Sequence, residues 1–208
     1  LIFEVGEDEK GKPEVEVRDP VEEYKLASEA MDAAKYEEAA QRFRGVADLV
    51  PNTQRAHVAR FNAGLCMEYA NKGHEAIPDY RIVLTTARSE AEEAKIRFRL
   101  VAVLEDAKQW SELYDTLFPL AEREMIPPDK MAVWTRIGTA LVELGRVDEG
   151  EEWLEKAVAF WEANQHLPVI RTGAHIAQAQ YGLARIYEHR FMQQQLRLPI
   201  EQMEKDLL

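Results

Sequence analysis

The side chains best able to do acid-base, nucleophilic or metal chemistry in this chain are five histidines and one cysteine, and their spacing offers none of it. His57, His74, His166, His175 and His189 are scattered, with no His-Glu-x-x-His and no Cys-His pair at ligand spacing, so they read as surface or helix-cap residues. Phosphate-cradling glycine loops and the Gly-x-Ser-x-Gly elbow are missing from the sequence. Cys66 is the single cysteine, so no intrachain disulfide can form, and its place beside Gly64 on a small-residue helix face marks it as packing. The acidic runs Glu90–Glu93 and Asp148–Glu152 fall at helix starts, where carboxylates complement the positive dipole end, and read as solvated faces. Trp134 and Trp153 occupy packing positions. The expectation is a protein that is not an enzyme and uses no metal or cofactor.

Bulk properties narrow the partner class. The 208 residues are 46% hydrophobic and 31% charged, an ordinary globular composition, with no apolar run near the ~20 residues that span a bilayer. A net charge of -12 repels polyanions, so nucleic acid is not the expected partner. The sequence opens on Leu1 without a signal-like segment, which reads as a removed leader or a fragment of something longer.

The elements that must position any site follow a strict rhythm. Leu26, Ala63, Leu100 and Ile137 recur at a step of 37 residues, each followed by Ala27, Gly64, Val101 or Gly138. The same step relates Ala39, Ala76, Leu113 and Gly150, then Phe43, Tyr80, Leu117 and Leu154, then Val46, Val83, Leu120 and Ala157. A period of ~20–50 residues carrying helical spacing predicts an all-α solenoid of stacked helix pairs. Repeats are expected at about 19–52, 53–88, 89–127 and 128–166, then a divergent helix at 169–190 and a C-terminal helix at 196–208, the whole counted as one superhelix over 19–208. Pro51 and the pair Pro127-Pro128 are expected to stop second helices, while Pro78 and Pro119 should cause late starts or kinks. Residues 1–18 have strand-like composition on both sides of a turn-prone stretch; a hairpin is possible, and a linker or remnant of a preceding element is favoured because an isolated hairpin is marginal in water. Leu207 and Leu208 lack a polar cap, which suggests association through this end.

Each unit resembles a tetratricopeptide repeat (TPR). The fourth supplies Trp134, Ile137, Gly138, Leu141, Gly145, Gly150, Leu154 and Ala157; the first Leu26, Ala27, Ala39, Phe43 and Pro51; the second Gly64, Ala76 and Tyr80. The third departs most, with Val101 and Leu113 at small positions. The resemblance implies a right-handed superhelix whose first helices line a concave groove. Carried onto this sequence, groove positions fall on Tyr24, Lys25, Phe61, Asn62, Phe98, Arg99, Thr135 and Arg136, with Lys95 as a further cation. Aromatic rings interleaved with cations suit an extended peptide, acidic or ending in a free carboxylate. Asn62, Lys95 and Arg99 also match three positions of the carboxylate clamp of chaperone-binding TPR domains, while Tyr24 and Ser28 depart from it. The stretch Pro51–Ala56 is similar to the lead-in of bacterial envelope TPR proteins, those of outer-membrane assembly, Tol-Pal and gliding motility, which implies a periplasmic location over a cytoplasmic one. The function expected is a non-catalytic protein-interaction scaffold in a multiprotein complex; a small-molecule or glycan sensor and a structural part assembling through its C-terminal end are the alternatives.

Overall fold

The computed structural model describes residues 2–7, 13–170 and 173–193. The helix expected at 196–208, with Leu207 and Leu208, lies outside the described residues. Where one array was expected, the chain divides into two compact units, Leu1–Leu117 and Phe118–Leu208.

In the first unit, β1 (Ile2–Glu7) and β2 (Pro13–Arg18) pair antiparallel, with Phe3 opposite Val17 and Val5 opposite Val15. A hairpin forms where a linker or remnant was favoured. Its pairs Phe3–Val17 and Val5–Val15 are of residue types enriched in strands. The helices that follow are α1 (Pro20–Asp32), α2 (Tyr36–Leu49), α3 (Gln54–Tyr69), α4 (Ile77–Thr85), α5 (Glu90–Asp106) and α6 (Trp110–Leu117). Helices α1, α3 and α5 start where a side chain supplies an acceptor, and α1 and α4 carry a proline in the first turn. Asp19 accepts from the Val21 amide at 2.9 Å, Thr53 from Ala56 at 3.1 Å and Ser89 from Glu92 at 3.2 Å. Pro78 sits in the first turn of α4, delayed behind a 3-10 turn at Gly73–Ala76.

Pro119 does more than kink. Helix α6 stops at Leu117, and Phe118–Leu120 continue as a 3-10 turn because the ring removes a donor and clashes one turn back. The second unit then holds α7 (Pro127–Glu143), α8 (Val147–Asn164) and α9 (Ala174–Gln193), which packs on both. Pro127 and Pro128 open α7 rather than closing the helix before it, since the first helical turn needs no donor.

The 37-residue step reappears in the backbone. Ala34, Asn71, Lys108 and Gly145, one per hairpin turn at the same register, all have left-handed φ between 55° and 80°. In each turn the next amide reaches back to a carbonyl five residues earlier: Lys35 to Ala30, Lys72 to Met67, Gln109 to Leu104 and Arg146 to Leu141, each at 2.9 Å. This cap satisfies orphan carbonyls and reverses the chain.

Inside each pair, helices approach through a small residue set against a large one. The first positions are Ala27, Gly64, Val101 and Gly138, the second Phe43, Tyr80, Leu117 and Leu154, and all eight are buried. The closeness is real at the glycines: a Cβ on Gly64 would lie 2.7 Å from the Tyr80 ring, and one on Gly138 would lie 2.7 Å from Leu154 Cγ and 2.9 Å from the Gly150 carbonyl. In the third repeat these positions carry Val101 and Leu117, and both are buried. The fold is therefore an all-α solenoid of TPR-like helix hairpins.

Candidate functional site

Helices α1, α3 and α5 are the first members of successive hairpins, and the expected groove residues of the first unit lie on them. Tyr24, Phe61 and Phe98 are half-buried. Tyr24 meets Phe43 edge-on at 5.2 Å, and Phe61 lies 5.7 Å from Tyr80. Polar contacts then run from one hairpin to the next. Asn62 Nδ2 donates to the Tyr24 hydroxyl at 2.9 Å, joining α3 to α1. Lys95 Nζ stands 5.0 Å from the centre of the Phe61 ring, joining α5 to α3.

The cations differ in what remains free to bind. Arg99 donates to Glu68 Oε2 at 3.2 Å, and the other Glu68 oxygen accepts from the Tyr80 hydroxyl. Burial, reinforced by that bond, pushes the Tyr80 phenol far above its usual range, so it stays a donor. The Arg99 charge is thus largely answered within the chain. Lys25 is shared between Glu22 at 3.3 Å and Glu29 at 4.0 Å. Lys95 makes no ion pair among the described residues. Arg55, exposed on the same face of α3, likewise makes none there, so Lys95 and Arg55 are two cations outside ion pairs beside the aromatic row.

Two more residues belong to this face. Val21 and Val58 occupy the same helical position as Lys95 in the two preceding hairpins, and are 55% and 36% exposed. Val58 also lines a cavity of about 570 Å³ with Tyr24, Val50, Thr53, Gln54 and Arg55. The register that identifies Lys95 identifies both valines. In the second unit Thr135 is fully buried, its hydroxyl 3.5 Å from the His175 carbonyl, because α9 lies against α7. Arg136 is half-buried there.

Elsewhere the chemistry-bearing residues are structural. Cys66 is buried, and loss of solvation pushes its thiol up to about 11. His57 is not the surface residue expected. Its side chain is 8% exposed, with Nδ1 2.7 Å from Thr86 Oγ1 and Nε2 3.1 Å from Glu92. Trp134 is buried and donates to the Ala121 carbonyl at 2.9 Å. Among the described residues no group of His, Cys, Asp and Glu is placed to hold a metal, and no helix is long and apolar enough to cross a membrane.

No family model and no curated protein matches the sequence. Solved structures do match. The nearly identical TPR-like repeats of a kinesin light chain candidate from Podosopora anserina superpose with a TM-score of 0.59 at 17% identity, over 86% of this chain and 91% of that one. MamA from Desulfovibrio magneticus RS-1 gives 0.51 at 17% identity, over 86% of this chain and all (100%) of that one. At this identity the likeness is one of fold, and the fold is TPR-like.

Proposed function

We propose that the protein is a non-catalytic interaction scaffold that holds an extended segment of a partner protein along the face of α1, α3 and α5. The observation that carries this reading is the continuity of that face. Tyr24, Asn62, Phe61 and Lys95 are linked hairpin to hairpin, with exposed Val21 and Val58 alongside. Isolated apolar residues on a surface need no explanation, whereas a row of half-buried rings with Lys95 and Arg55 outside any ion pair among the described residues suits alternating apolar and acidic side chains. Because packing already fixes these rings, binding orders little of the scaffold, and modest contacts add up along the row.

A random peptide library selected on the protein should enrich segments that mix acidic and apolar residues. Lys95→Ala should then weaken the best of them about tenfold, with helicity unchanged. Selected peptides that bind Lys95→Ala and Val58→Asp as tightly as the parent would overturn the proposal. The envelope location implied by Pro51–Ala56 is a separate matter. Pro51 follows the end of α2, Asn52 is left-handed and Thr53 caps α3, so local capping accounts for the motif in any compartment. Fractionation of cells expressing the native gene, with periplasmic and cytoplasmic markers, tests it.

A further inference from the structure

Helix α3 has a second working side. Gln54, Arg55, Val58, Phe61 and Asn62 share one face of the helix; Thr53, Ala56, His57 and Arg60 fall on the opposite one at a spacing of three to four residues. On that opposite side, with the ends of α2 and α4, the chain encloses a cavity of about 390 Å³. This lies near the lower end of the ~300–1,000 Å³ range of ligand pockets, enough for one ring or branched chain and too small for an extended segment.

We infer that this cavity binds a small apolar group carrying a single carboxylate. Its floor is apolar, made by buried Ala47, Ala56 and Val83, and Ile82 on its wall is 47% exposed, an area that an apolar guest would cover. Its walls are already fixed. Asp79, 1% exposed, accepts from Arg44 at 2.9 and 2.7 Å and from Arg60 at 3.3 Å, while Arg60 also holds Asp48. His57 is clamped between Thr86 and Glu92 on the other side. These groups have their charges answered within the chain. Arg88, an exposed residue that also lines the cavity, makes no side-chain ion pair among the described residues; its backbone amide donates to Glu92 at 2.7 Å and its charge acts on that carboxylate. One uncommitted positive charge over an apolar floor matches one carboxylate on an apolar body; a phosphate dianion would call for more cations. Such a group could be a free aryl or branched-chain acid, or the terminal residue of a polypeptide.

Titrating the isotope-labelled full chain separates these sources. The probes are 3-phenylpropionate and N-acetyl-Gly-Ser-Gly-Phe with a free terminus, each against its amide, read through the backbone shifts of Ala56, His57 and Thr86. Saturable shifts with at least one acid are expected, with its amide about tenfold weaker or worse. Arg88→Ala should cost about the same factor, and Lys95→Ala, across α3, should cost nothing. Tighter binding of the peptide acid assigns a chain terminus as the source; equal or tighter binding of phenylpropionate assigns a free acid. No saturable shift with either acid, equal binding of acid and amide, or undiminished binding to Arg88→Ala overturns the inference.

Discussion

Gly64→Ala tests the packing rule on which the repeats are built. The added methyl would sit 2.7 and 2.8 Å from two atoms of the Tyr80 ring, where ordinary contact begins near 3.4 Å. The ring has little room to yield: it is fully buried, stacked near Phe61, and its hydroxyl is held by Glu68. Forcing a methyl into such a site costs about 1–3 kcal/mol, against about 1 kcal/mol regained from alanine's better helix propensity. A net loss of roughly 0–2 kcal/mol is expected. Gly45→Ala in the same unit is the control, because its methyl would meet nothing within 4 Å and only the propensity gain, about 0.5–1 kcal/mol, remains. In the third repeat the same two positions hold Val101 and Leu117, both buried, so a side chain at the first goes with a residue smaller than tyrosine at the second. Tyr80→Leu should therefore absorb most of the Gly64→Ala penalty, giving a coupling of about 1 kcal/mol or more in a double-mutant cycle. Urea unfolding followed by circular dichroism on the four proteins measures it. Additive losses, or a Gly64→Ala protein as stable as Gly45→Ala, would refute the small-against-large account.

Other consequences are simpler to check. Cys66, with its thiol pushed up to about 11 from an ordinary 9.0, should resist alkylation in the folded protein at pH 8 and react only on unfolding. Because the folded value is the higher one, its contribution to stability is intact below pH 9 and is lost between about pH 9 and 11, as the unfolded thiol ionises first. Lys108→Gly should stabilise the third hairpin turn by roughly 1 kcal/mol, since a left-handed φ of 55° strains a residue with a Cβ, and thermal melts would show it. Asp79→Asn leaves Arg44 and Arg60 facing a neutral group in a mostly buried site and should cost about 3 kcal/mol; a change below 1 kcal/mol in urea titration would mean the cluster is solvated.

What could be read from residue types alone was the local physics. The 37-residue step placed the buried series, the small-to-large pairing and the aromatic row of Tyr24, Phe61 and Phe98 on particular residues, because helical spacing acts over a few positions. Proline direction was harder: Pro127 reads equally as a stop or a start, and the choice depends on whether α6 survives Pro119. The hairpin of residues 2–7 and 13–18 was undervalued because strand pairing is decided between segments. Least legible was which cations remain available. Arg99 meets Glu68 and His57 meets Glu92 across more than thirty residues, through stacking that no local pattern encodes. Residue types therefore name a candidate face, and contacts between hairpins decide which of its cations are already paired.

The central claim is the location of partner binding. Backbone amide shifts of the labelled full chain, titrated with a library-selected peptide, test it most directly. The account predicts the largest changes at Tyr24, Val58, Phe61, Asn62 and Lys95. Changes confined to α2, α4 and α6, with those five residues unmoved, would contradict it.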